Sequence, residues 1–244
     1  QPVRMPSYLF PGGNADVVTV RLRDGLAYVG NGEHGLSILD MRDPLHPVEI
    51  GSLDTQGIAA GVYLQDHLAF IADWWAGLLV ADVSVPSRPR KLGQLPARWF
   101  QSDYSRNHYD LMVSGPAVLV ADPATGLLTI DIQNPNTPKL KQANPGRPWG
   151  MDIAGRFLFS ADAGGSTGGL RLFDLVRPLE PVNLGRFSRW GGVYGVHLRG
   201  NRLWTAGTRL GAIDLHFSAL APVFTVQPRS VQRETGSSVT LEAL

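Results

Sequence analysis

Short bursts of alternating apolar and polar residues run along most of the chain and are separated by turn residues. The pattern is clearest in one stretch of about 30 residues, with apolar bursts at 62–64, 68–72 and 78–81 and a more polar burst at 90–93. A period of two over a few residues is typical of β-strands, and glycine, proline and aspartate supply the turns between them. The pattern therefore predicts a unit of four strands that become more exposed from the first to the last.

This unit recurs about every 42 residues. A six-residue segment that ends in aspartate, 35–40, recurs at 77–82, 126–131 and 169–174, with a weaker copy at 211–216. The intervals between the ends of these segments are 42, 49, 43 and 42 residues. A unit of this size cannot bury its own apolar face and must stack on a neighbour. Five such units predict an all-β fold, a five-bladed β-propeller with four strands in each blade.

Two further features recur in the units. An aspartate or asparagine closes the second strand, and paired prolines follow the third: Pro44 and Pro47, Pro86 and Pro89, Pro135 and Pro138, Pro178 and Pro181. Together with the 35–40 type of segment, these residues resemble the LVIVD repeat of bacterial and archaeal surface proteins, over roughly residues 2–222. The resemblance implies a β-propeller and an extracytoplasmic location, secreted or at the cell surface. It implies little about chemistry.

The two ends of the chain predict how the propeller closes. Residues 2–5 match the outer strand at 47–50, so we expect this N-terminal strand to complete the last blade and to leave no exposed sheet edge. In the competing arrangement, residues 223–226 supply that strand. Residues 222–244 resemble the opening strands of an immunoglobulin-like domain, which favours the first arrangement. The predicted domains are a propeller at 1–221 and, at 222–244, a linker with the truncated start of an immunoglobulin-like domain.

Composition narrows the range of partners. Among 244 residues, 22 Lys and Arg face 21 Asp and Glu, and the basic residues are scattered, which disfavours nucleic acid as a ligand. No apolar run approaches the ~20 residues that span a bilayer, so no membrane span is expected. The chain has no cysteine, which excludes disulfides and thiolate metal sites. We expect a monomer within a larger multidomain chain, with any targeting segment outside this sequence.

Aromatic residues concentrate in two sets of loops that a propeller opens on one face: the hairpins between second and third strands, and the crossovers between blades. Five of the six tryptophans fall there, and the longest crossover, 96–109, holds the seven extra residues of the 49-residue interval. Such aromatics either plug the ring or form a binding surface, and as a set beside polar groups they favour binding. The predicted ligand-binding residues are Trp74, Trp75, Trp99, Phe100, Tyr104, His108, Arg147, Trp149, Trp190 and Tyr194.

Aspartates occupy recurrent positions as well. Hydrogen bonds to the turn backbone explain the aspartates that precede the proline turns: Asp40, Asp82, Asp131 and Asp174. Asp73 and Asp122 close second strands at the mouth of the aromatic face, where turn capping is again the favoured explanation. Asp110 differs, because the other copies carry threonine or glycine at its position. With Asp73 and Asp122 it forms an alternative set for acid and base catalysis or for a Ca²⁺ site.

These observations lead to a hypothesis and two alternatives. The hypothesis is a non-catalytic binding module of a surface or secreted protein, which holds a glycan, a peptide or a protein partner on the aromatic face. The first alternative is a glycoside hydrolase or lyase with carboxylates in a central funnel. Against it, only Glu33 of the five glutamates lies on the aromatic side. The second is a spacer or scaffold, for which a buried aromatic face would be the telling observation. No cofactor is predicted apart from the Ca²⁺ alternative.

Overall fold

The computed structural model describes residues 8–10, 17–96, 110–164, 168–187, 192–207 and 210–215. Within these ranges the chain forms five antiparallel sheets, numbered 1 to 5 along the sequence. Sheets 1 to 4 contain four strands each, and sheet 5 contains three. The all-β class and the count of five units are therefore confirmed. A single short 3-10 helix, Trp74–Ala76, is the only helical element of the described residues.

The strands follow one another in chain order. Sheet 1 contains β1 (Thr19–Arg23), β2 (Leu26–Gly30), β3 (Leu36–Asp40) and β4 (Val48–Leu53). Sheet 2 contains β5 (Ala59–Gln65), β6 (Leu68–Asp73), β7 (Gly77–Asp82) and β8 (Arg90–Leu95), and sheet 3 contains β9 (Asp110–Ser114), β10 (Ala117–Asp122), β11 (Gly126–Asp131) and β12 (Lys139–Asn144). Sheet 4 contains β13 (Pro148–Ala154), β14 (Phe157–Asp162), β15 (Gly169–Asp174) and β16 (Val182–Phe187), and sheet 5 contains β17 (Val193–Arg199), β18 (Arg202–Gly207) and β19 (Leu210–Asp214).

Burial within a sheet peaks in its second and third strands. In sheet 2, every residue of β7 and all but one of β6 are buried, whereas β8 is exposed at its start. The first strands are only partly buried, as β1 and β9 show. The predicted decrease in burial from first to last strand is therefore wrong. The reason is that the two middle strands have a hydrogen-bonded neighbour on each side, whereas the first strand of each sheet lies at an edge.

The chain divides into two compact units. Unit 1 comprises residues 1–113 and 132–139, and unit 2 comprises residues 114–131 and 140–244. Sheets 1 and 2 belong to unit 1, sheets 4 and 5 belong to unit 2, and the boundary runs through sheet 3. No helix among the described residues is long and apolar enough to span a membrane.

The core of unit 1 lies between two sheets. Tyr28, Leu36 and Ile38 of sheet 1 pack against Ile71 and Leu79 of sheet 2 and their neighbours. We call the side of sheet 1 that carries Tyr28, Leu36 and Ile38, and the equivalent side of every other sheet, the forward face. The side of sheet 2 that carries Ile71 and Leu79, and its equivalent in the other sheets, is the backward face. Successive strands pair so that these positions share a face, as Tyr28 with Ile38 and Ile71 with Leu79. A forward face thus packs on the backward face of the next sheet.

The core of unit 2 repeats this arrangement. Phe159, Leu170 and Leu172 on the forward face of sheet 4 pack against the backward face of sheet 5, at Leu203 and Ile213. Full burial of these side chains removes them from water and contributes about 1.5–3 kcal/mol each. The stacking expected of a short repeated unit is therefore found in each unit of the structure.

Residues near the N-terminus cover part of the backward face of sheet 1. Tyr8 and Phe10 pack against Ala27, Val29 and Leu39, which occupy this face. The two aromatic rings also contact each other edge to face, with centroids 4.9 Å apart. A segment outside the sheets thus takes the place that a preceding sheet would occupy.

The turn chemistry of the repeat is confirmed. Asp40, Asp82 and Asp174 each accept a hydrogen bond, at 2.9–3.0 Å, from the backbone N–H two residues further on. The proline turns also fix the spacing to the preceding sheet. A Cβ atom added at Gly51 of β4 would lie 2.2 Å from the carbonyl oxygen of Pro86, and one at Gly93 of β8 would lie 2.4 Å from that of Pro135. The outer strands β4 and β8 therefore have glycine where the next turn touches them, whereas β12 has Gln142 at the equivalent position, and its side-chain amide donates to the carbonyl oxygen of Pro181 at 3.4 Å.

Sheet 5 departs from the predicted alignment. Leu210 pairs with Ala206 as Leu78 pairs with Ala72, so Leu210 takes the position of Leu78. The alignment of 211–216 with 35–40 is therefore wrong by two residues, because only two residues separate β18 from β19. The strands expected at residues 2–5 and 223–226, and the immunoglobulin-like segment 222–244, lie outside the described residues, so closure stays a prediction.

Candidate functional site

The most exposed tryptophan of the described chain lies in the hairpin between β6 and β7. We call residues 73–77 the Trp hairpin. Trp75 is 50% exposed, whereas Trp74 is 8% exposed. The two rings lie 5.1 Å apart at an interplanar angle of 34°. Only Trp75 therefore presents its ring to solvent, and Trp74 supports it from the protein side, which corrects the expectation that both rings form the surface.

Asp73 fixes the start of the Trp hairpin. This buried carboxylate accepts a hydrogen bond from the Thr55 hydroxyl at 2.7 Å and one from the Gly57 backbone N–H at 3.1 Å. Burial raises the pKa of Asp73, and these hydrogen bonds oppose the increase. Thr55 and Gly57 belong to the crossover from sheet 1, and a Cβ atom at Gly57 would lie 2.3 Å from the Asp73 carbonyl oxygen. The crossover and the hairpin therefore pack tightly together.

Two further hydrogen bonds fix the rest of the Trp hairpin. The Trp75 indole N–H donates to the carbonyl oxygen of Gln56 at 3.0 Å, and the Gln94 amide donates to that of Ala76 at 2.7 Å. Trp74 has a positive φ of 28°, which is uncommon for a bulky residue. The backbone is thus held in a conformation that turns one ring inward and the other outward. The sequence pattern did not indicate Gln56, Thr55 or Gln94 as parts of this site.

The hairpin of sheet 3 shows that this turn does not require tryptophan. Asp122 and Gly126 are separated by three residues, as are Asp73 and Gly77, but Pro123 and Ala124 stand in place of the two tryptophans. Asp122 closes this hairpin by accepting hydrogen bonds from the backbone N–H groups of Ala124 at 2.8 Å and Thr125 at 3.3 Å. An exposed ring at position 75 is therefore not a requirement of the fold.

A second aromatic pair lies in unit 2, where Trp149 of β13 and Tyr194 of β17 contact each other. Their rings meet edge to face with centroids 5.4 Å apart, and Tyr194 is exposed. Arg147 immediately precedes β13, and its carbonyl oxygen accepts the Ala163 N–H at 3.0 Å. A crossover and a hairpin thus meet at one edge of sheet 4, as they do at sheet 2. Within each unit the predicted grouping of these loops is confirmed.

A buried ion pair supports the hairpin of sheet 4. The Arg171 Nε atom lies 2.8 Å from Asp162 Oδ2, and Nη1 donates to the Pro145 carbonyl oxygen at 2.7 Å. Burial raises the pKa of Asp162, and the charge of Arg171 opposes the increase. Arg171 was not among the predicted site residues. The sequence nevertheless indicates it, because sheets 1, 2 and 3 have the uncharged residues Ser37, Leu79 and Leu128 at this buried position.

The carboxylates proposed for catalysis or Ca²⁺ binding have other roles in the structure. Asp73 and Asp122 are fully buried and bind turn groups, as described above. Asp110 begins β9, and its Oδ1 atom lies 3.8 Å from Nη2 of Arg21. Among the described residues, no group of three or more His, Asp or Glu side chains is arranged to hold a metal ion. The predicted site residues Trp99, Phe100, Tyr104, His108 and Trp190 lie outside the described ranges.

The repeat that these sheets follow matches a protein family. A family model described as LVIVD repeat matches residues 12–55, 56–94 and 105–143, which together make half of the chain. The chain belongs to the LVIVD repeat family. The three matched LVIVD repeats correspond to sheets 1, 2 and 3, and sheets 4 and 5 follow the same strand pattern.

Solved structures similar to this LVIVD-repeat protein support a β-propeller-like fold. A functionally unknown protein from Desulfotomaculum acetoxidans DSM 771 is 12% identical, with a TM-score of 0.64 over 82% of this chain and 70% of that chain. The computationally designed Ika8 protein is 11% identical, with a TM-score of 0.60 over 85% of this chain. The chain spans 64% of the Ika8 chain. None of the curated proteins compared with the chain is similar to it. At such identities the likeness shows the fold alone.

Proposed function

We propose that this LVIVD-repeat protein is a non-catalytic binding module of a surface or secreted protein, and that it holds a glycan, a peptide or a protein partner on an aromatic surface that includes Trp75. One observation carries the proposal. Trp75 is half exposed at a hairpin position where the hairpin of sheet 3, of equal length, has Ala124. The turn itself does not require an indole ring there, and a ligand would favourably bury the half of the ring that is exposed.

The way the ring is held supports the proposal. The indole N–H is already bonded to Gln56, and Trp74 lies 5.1 Å behind the ring. The ring therefore loses little freedom when a ligand covers it, and a preorganised contact binds more tightly than a mobile one. With its N–H in use, Trp75 offers mainly its flat apolar face, which suits the C–H face of a sugar ring or a planar side chain of a partner.

The proposed location, secreted or at the cell surface, rests on the family resemblance.

Tyr194 and Arg147 are proposed as a second contact area, in unit 2. Both residues are exposed at the edge where a crossover meets a hairpin. This is the same kind of edge that carries Trp75.

The experiment screens the full chain against a glycan array, a panel of soluble polysaccharides and a displayed peptide library, and then measures each hit by calorimetry. Trp75→Ala should weaken the binding of a genuine ligand about tenfold or more, because stacking and burial of the ring are lost. Trp75→Phe should retain part of the affinity. Val85→Ala, at an exposed apolar residue in the proline turn of the same sheet, is the matched control.

Two results would contradict the proposal. If every hit binds Trp75→Ala as tightly as the wild type, the aromatic surface is not the binding site. If a polysaccharide in the panel is cleaved, and Asp110→Asn abolishes the cleavage, the protein is an enzyme rather than a binding module. Because Trp75→Ala also removes the hydrogen bond to Gln56 and the contact with Trp74, the thermal unfolding midpoint of each variant is measured beside its affinity, and loss of binding counts only for a variant that stays folded.

A further inference from the structure

The first strands of sheets 2, 4 and 5 contain a β-bulge at the same place. In β5, β13 and β17 the second residue of the strand is an extra residue that the pairing with the next strand skips. This residue is Ala60 in sheet 2, Trp149 in sheet 4 and Tyr194 in sheet 5. Ala60 is buried, so the bulge itself does not require an aromatic ring. Bulges often re-aim a side chain beside a functional site, and two of these carry aromatic residues.

The two aromatic bulges lie against each other within unit 2. A Cβ atom added at Gly150 would lie 2.9 Å from the carbonyl oxygen of Tyr194 and 3.0 Å from the Cα atom of Gly195, so the two strands touch at their bulges. The planes of the Trp149 and Tyr194 rings meet at 88°. Tyr194 is exposed, whereas Trp149 is only partly so. The bulges thus build a right-angled corner of two rings, and the Tyr194 ring is open to a ligand.

Arg147 lies beside this aromatic corner. Its carbonyl oxygen accepts the Ala163 N–H at 3.0 Å. A Cβ atom added at Gly192 would lie 3.7 Å from the Cα atom of Ala163 and 3.6 Å from the hydroxyl oxygen of Tyr194. The backbone of Arg147, Ala163 and the Tyr194 hydroxyl therefore form one cluster. The exposed side chain of Arg147 starts from this cluster, two residues before Trp149.

The charge of this end of unit 2 is positive at the surface. Among the described residues of unit 2, no exposed acidic side chain lies at the end of the sheets that carries Arg147. The two acidic residues there, Asp122 and Asp162, are buried. Asp162 is also neutralised by Arg171, at 2.8 Å. An anionic group on a ligand would therefore complement the guanidinium of Arg147.

We propose that this corner binds an acidic sugar, a hexuronate residue of a polysaccharide, whose C–H face covers the Tyr194 ring while its carboxylate accepts hydrogen bonds from the Arg147 guanidinium. The inference rests on the proposed binding function and narrows its ligand. A guanidinium binds a carboxylate through two parallel hydrogen bonds, and an aromatic ring offers a flat apolar face. A hexuronate carries both matching groups on one ring. An acidic side chain of a peptide would satisfy Arg147 but has no ring to cover Tyr194.

The test measures by calorimetry how the full chain binds oligosaccharides of galacturonate, glucuronate and mannuronate. The same oligosaccharides with their carboxylates reduced to alcohols are the neutral probes, and polyglutamate is the acidic peptide probe. The wild type should bind at least one hexuronate about tenfold or more tightly than its reduced form, because the reduced form cannot pair with Arg147.

Two variants separate the contributions of charge and stacking. Arg147→Gln should bind the hexuronate and its reduced form equally, whereas Tyr194→Ala should weaken the binding of both, because stacking on the ring is lost. Arg199→Gln, the same change at an exposed arginine at the other end of β17, is the matched control and should bind like the wild type. Circular dichroism establishes that each variant is folded.

Several results would overturn the proposal. They are absence of binding to every hexuronate, equal affinity of the wild type for the reduced forms, and an equal loss in Arg199→Gln, which would indicate attraction by net charge alone. Polyglutamate that binds as tightly, with no effect of Tyr194→Ala, would indicate an acidic peptide instead. A neutral glycan or peptide whose affinity depends on Trp75 would retain the binding module and exclude the acidic sugar. A hexuronate whose affinity depends on Arg147 but not on Trp75 would support this inference and remove Trp75 from the binding surface.

Discussion

Removing Arg171 alone tests how strongly the fold depends on the cation that lies beside the buried Asp162 in sheet 4. Its Nε and Nη2 atoms lie 2.8 and 3.0 Å from the two carboxylate oxygens of Asp162, and both side chains are buried. Two unit charges at this distance attract by about 6 kcal/mol at an effective dielectric constant of about 20. The cost of removing both groups from water offsets much of this attraction. Removing one partner therefore measures mainly the cost of leaving the other charge buried and unpaired, and removing both measures the net contribution of the pair.

Arg171→Met leaves Asp162 buried without its cation. We expect the free energy of unfolding to fall by about 3–5 kcal/mol near neutral pH, because an uncompensated buried charge remains. Burial already raises the pKa of Asp162, and loss of Arg171 will raise it further. When the folded pKa lies above the unfolded one, the group favours folding below the unfolded pKa of about 3.9, and this contribution is lost as pH rises through the folded pKa. The deficit of the variant should therefore shrink as the pH is lowered.

Urea denaturation followed by circular dichroism at about pH 7.5 and about pH 4.5 measures this change, since the second value lies near the ordinary Asp pKa. The double variant Asp162→Asn with Arg171→Met is the matched control, because it removes both charges and should be more stable than Arg171→Met alone at the higher pH. Equal deficits at both pH values would refute the reasoning. A double variant as unstable as the single one at the higher pH would do so as well.

Two further predictions concern sheet 1. Gly51→Ala should lower the free energy of unfolding by about 1–3 kcal/mol in urea denaturation, because its Cβ would meet the Pro86 carbonyl oxygen. Gly195→Ala, in a strand position with more room, should lower it less, and equal losses in the two variants would contradict the prediction. Hydrogen bonds from Arg42 lower the pKa of Asp40 from 3.8 to about 2. The ionised Asp40 carboxylate therefore stabilises the folded state above about pH 4, and this stabilisation is lost as pH falls towards 2. An NMR titration should show this pKa and its return towards 3.8 in Arg42→Ala, and a pKa that the variant leaves unchanged would contradict the assignment.

The repeat period predicted the fold because equivalent positions of the repeated unit are buried in the same way from one sheet to the next. Tyr28, Phe70 and Phe159 are buried at equivalent positions, and the aspartate turns follow from local hydrogen bonding alone. The shift in sheet 5 could not be predicted, because Gly211 matches the repeated glycine in sequence. The pairing of Leu210 with Ala206 depends on a shorter turn.

The candidate site was predicted only in part, for a similar physical reason. Sequence placed Trp74 and Trp75 in one hairpin but did not distinguish their roles, because the positive φ of Trp74 decides which ring turns inward. The partners of Asp73 come from a crossover 16 and 18 residues away, so local pattern did not reveal them. Arg171 shows the opposite case. A charged residue at a core position indicates a buried partner. Comparison of the copies shows that Arg171 carries a charge where the others have none, and its partner in the structure is Asp162.

The contact between an outer-strand glycine and the next proline turn bears on how such a chain can grow. Sheet 2 carries both halves of the contact, because Gly93 meets the turn of Pro135 in sheet 3 and its own turn at Pro86 meets Gly51 of sheet 1. A duplicate of this unit would therefore bring a glycine for the sheet that follows and a turn for the sheet before. Gene duplication can add such a sheet while keeping these contacts between neighbours.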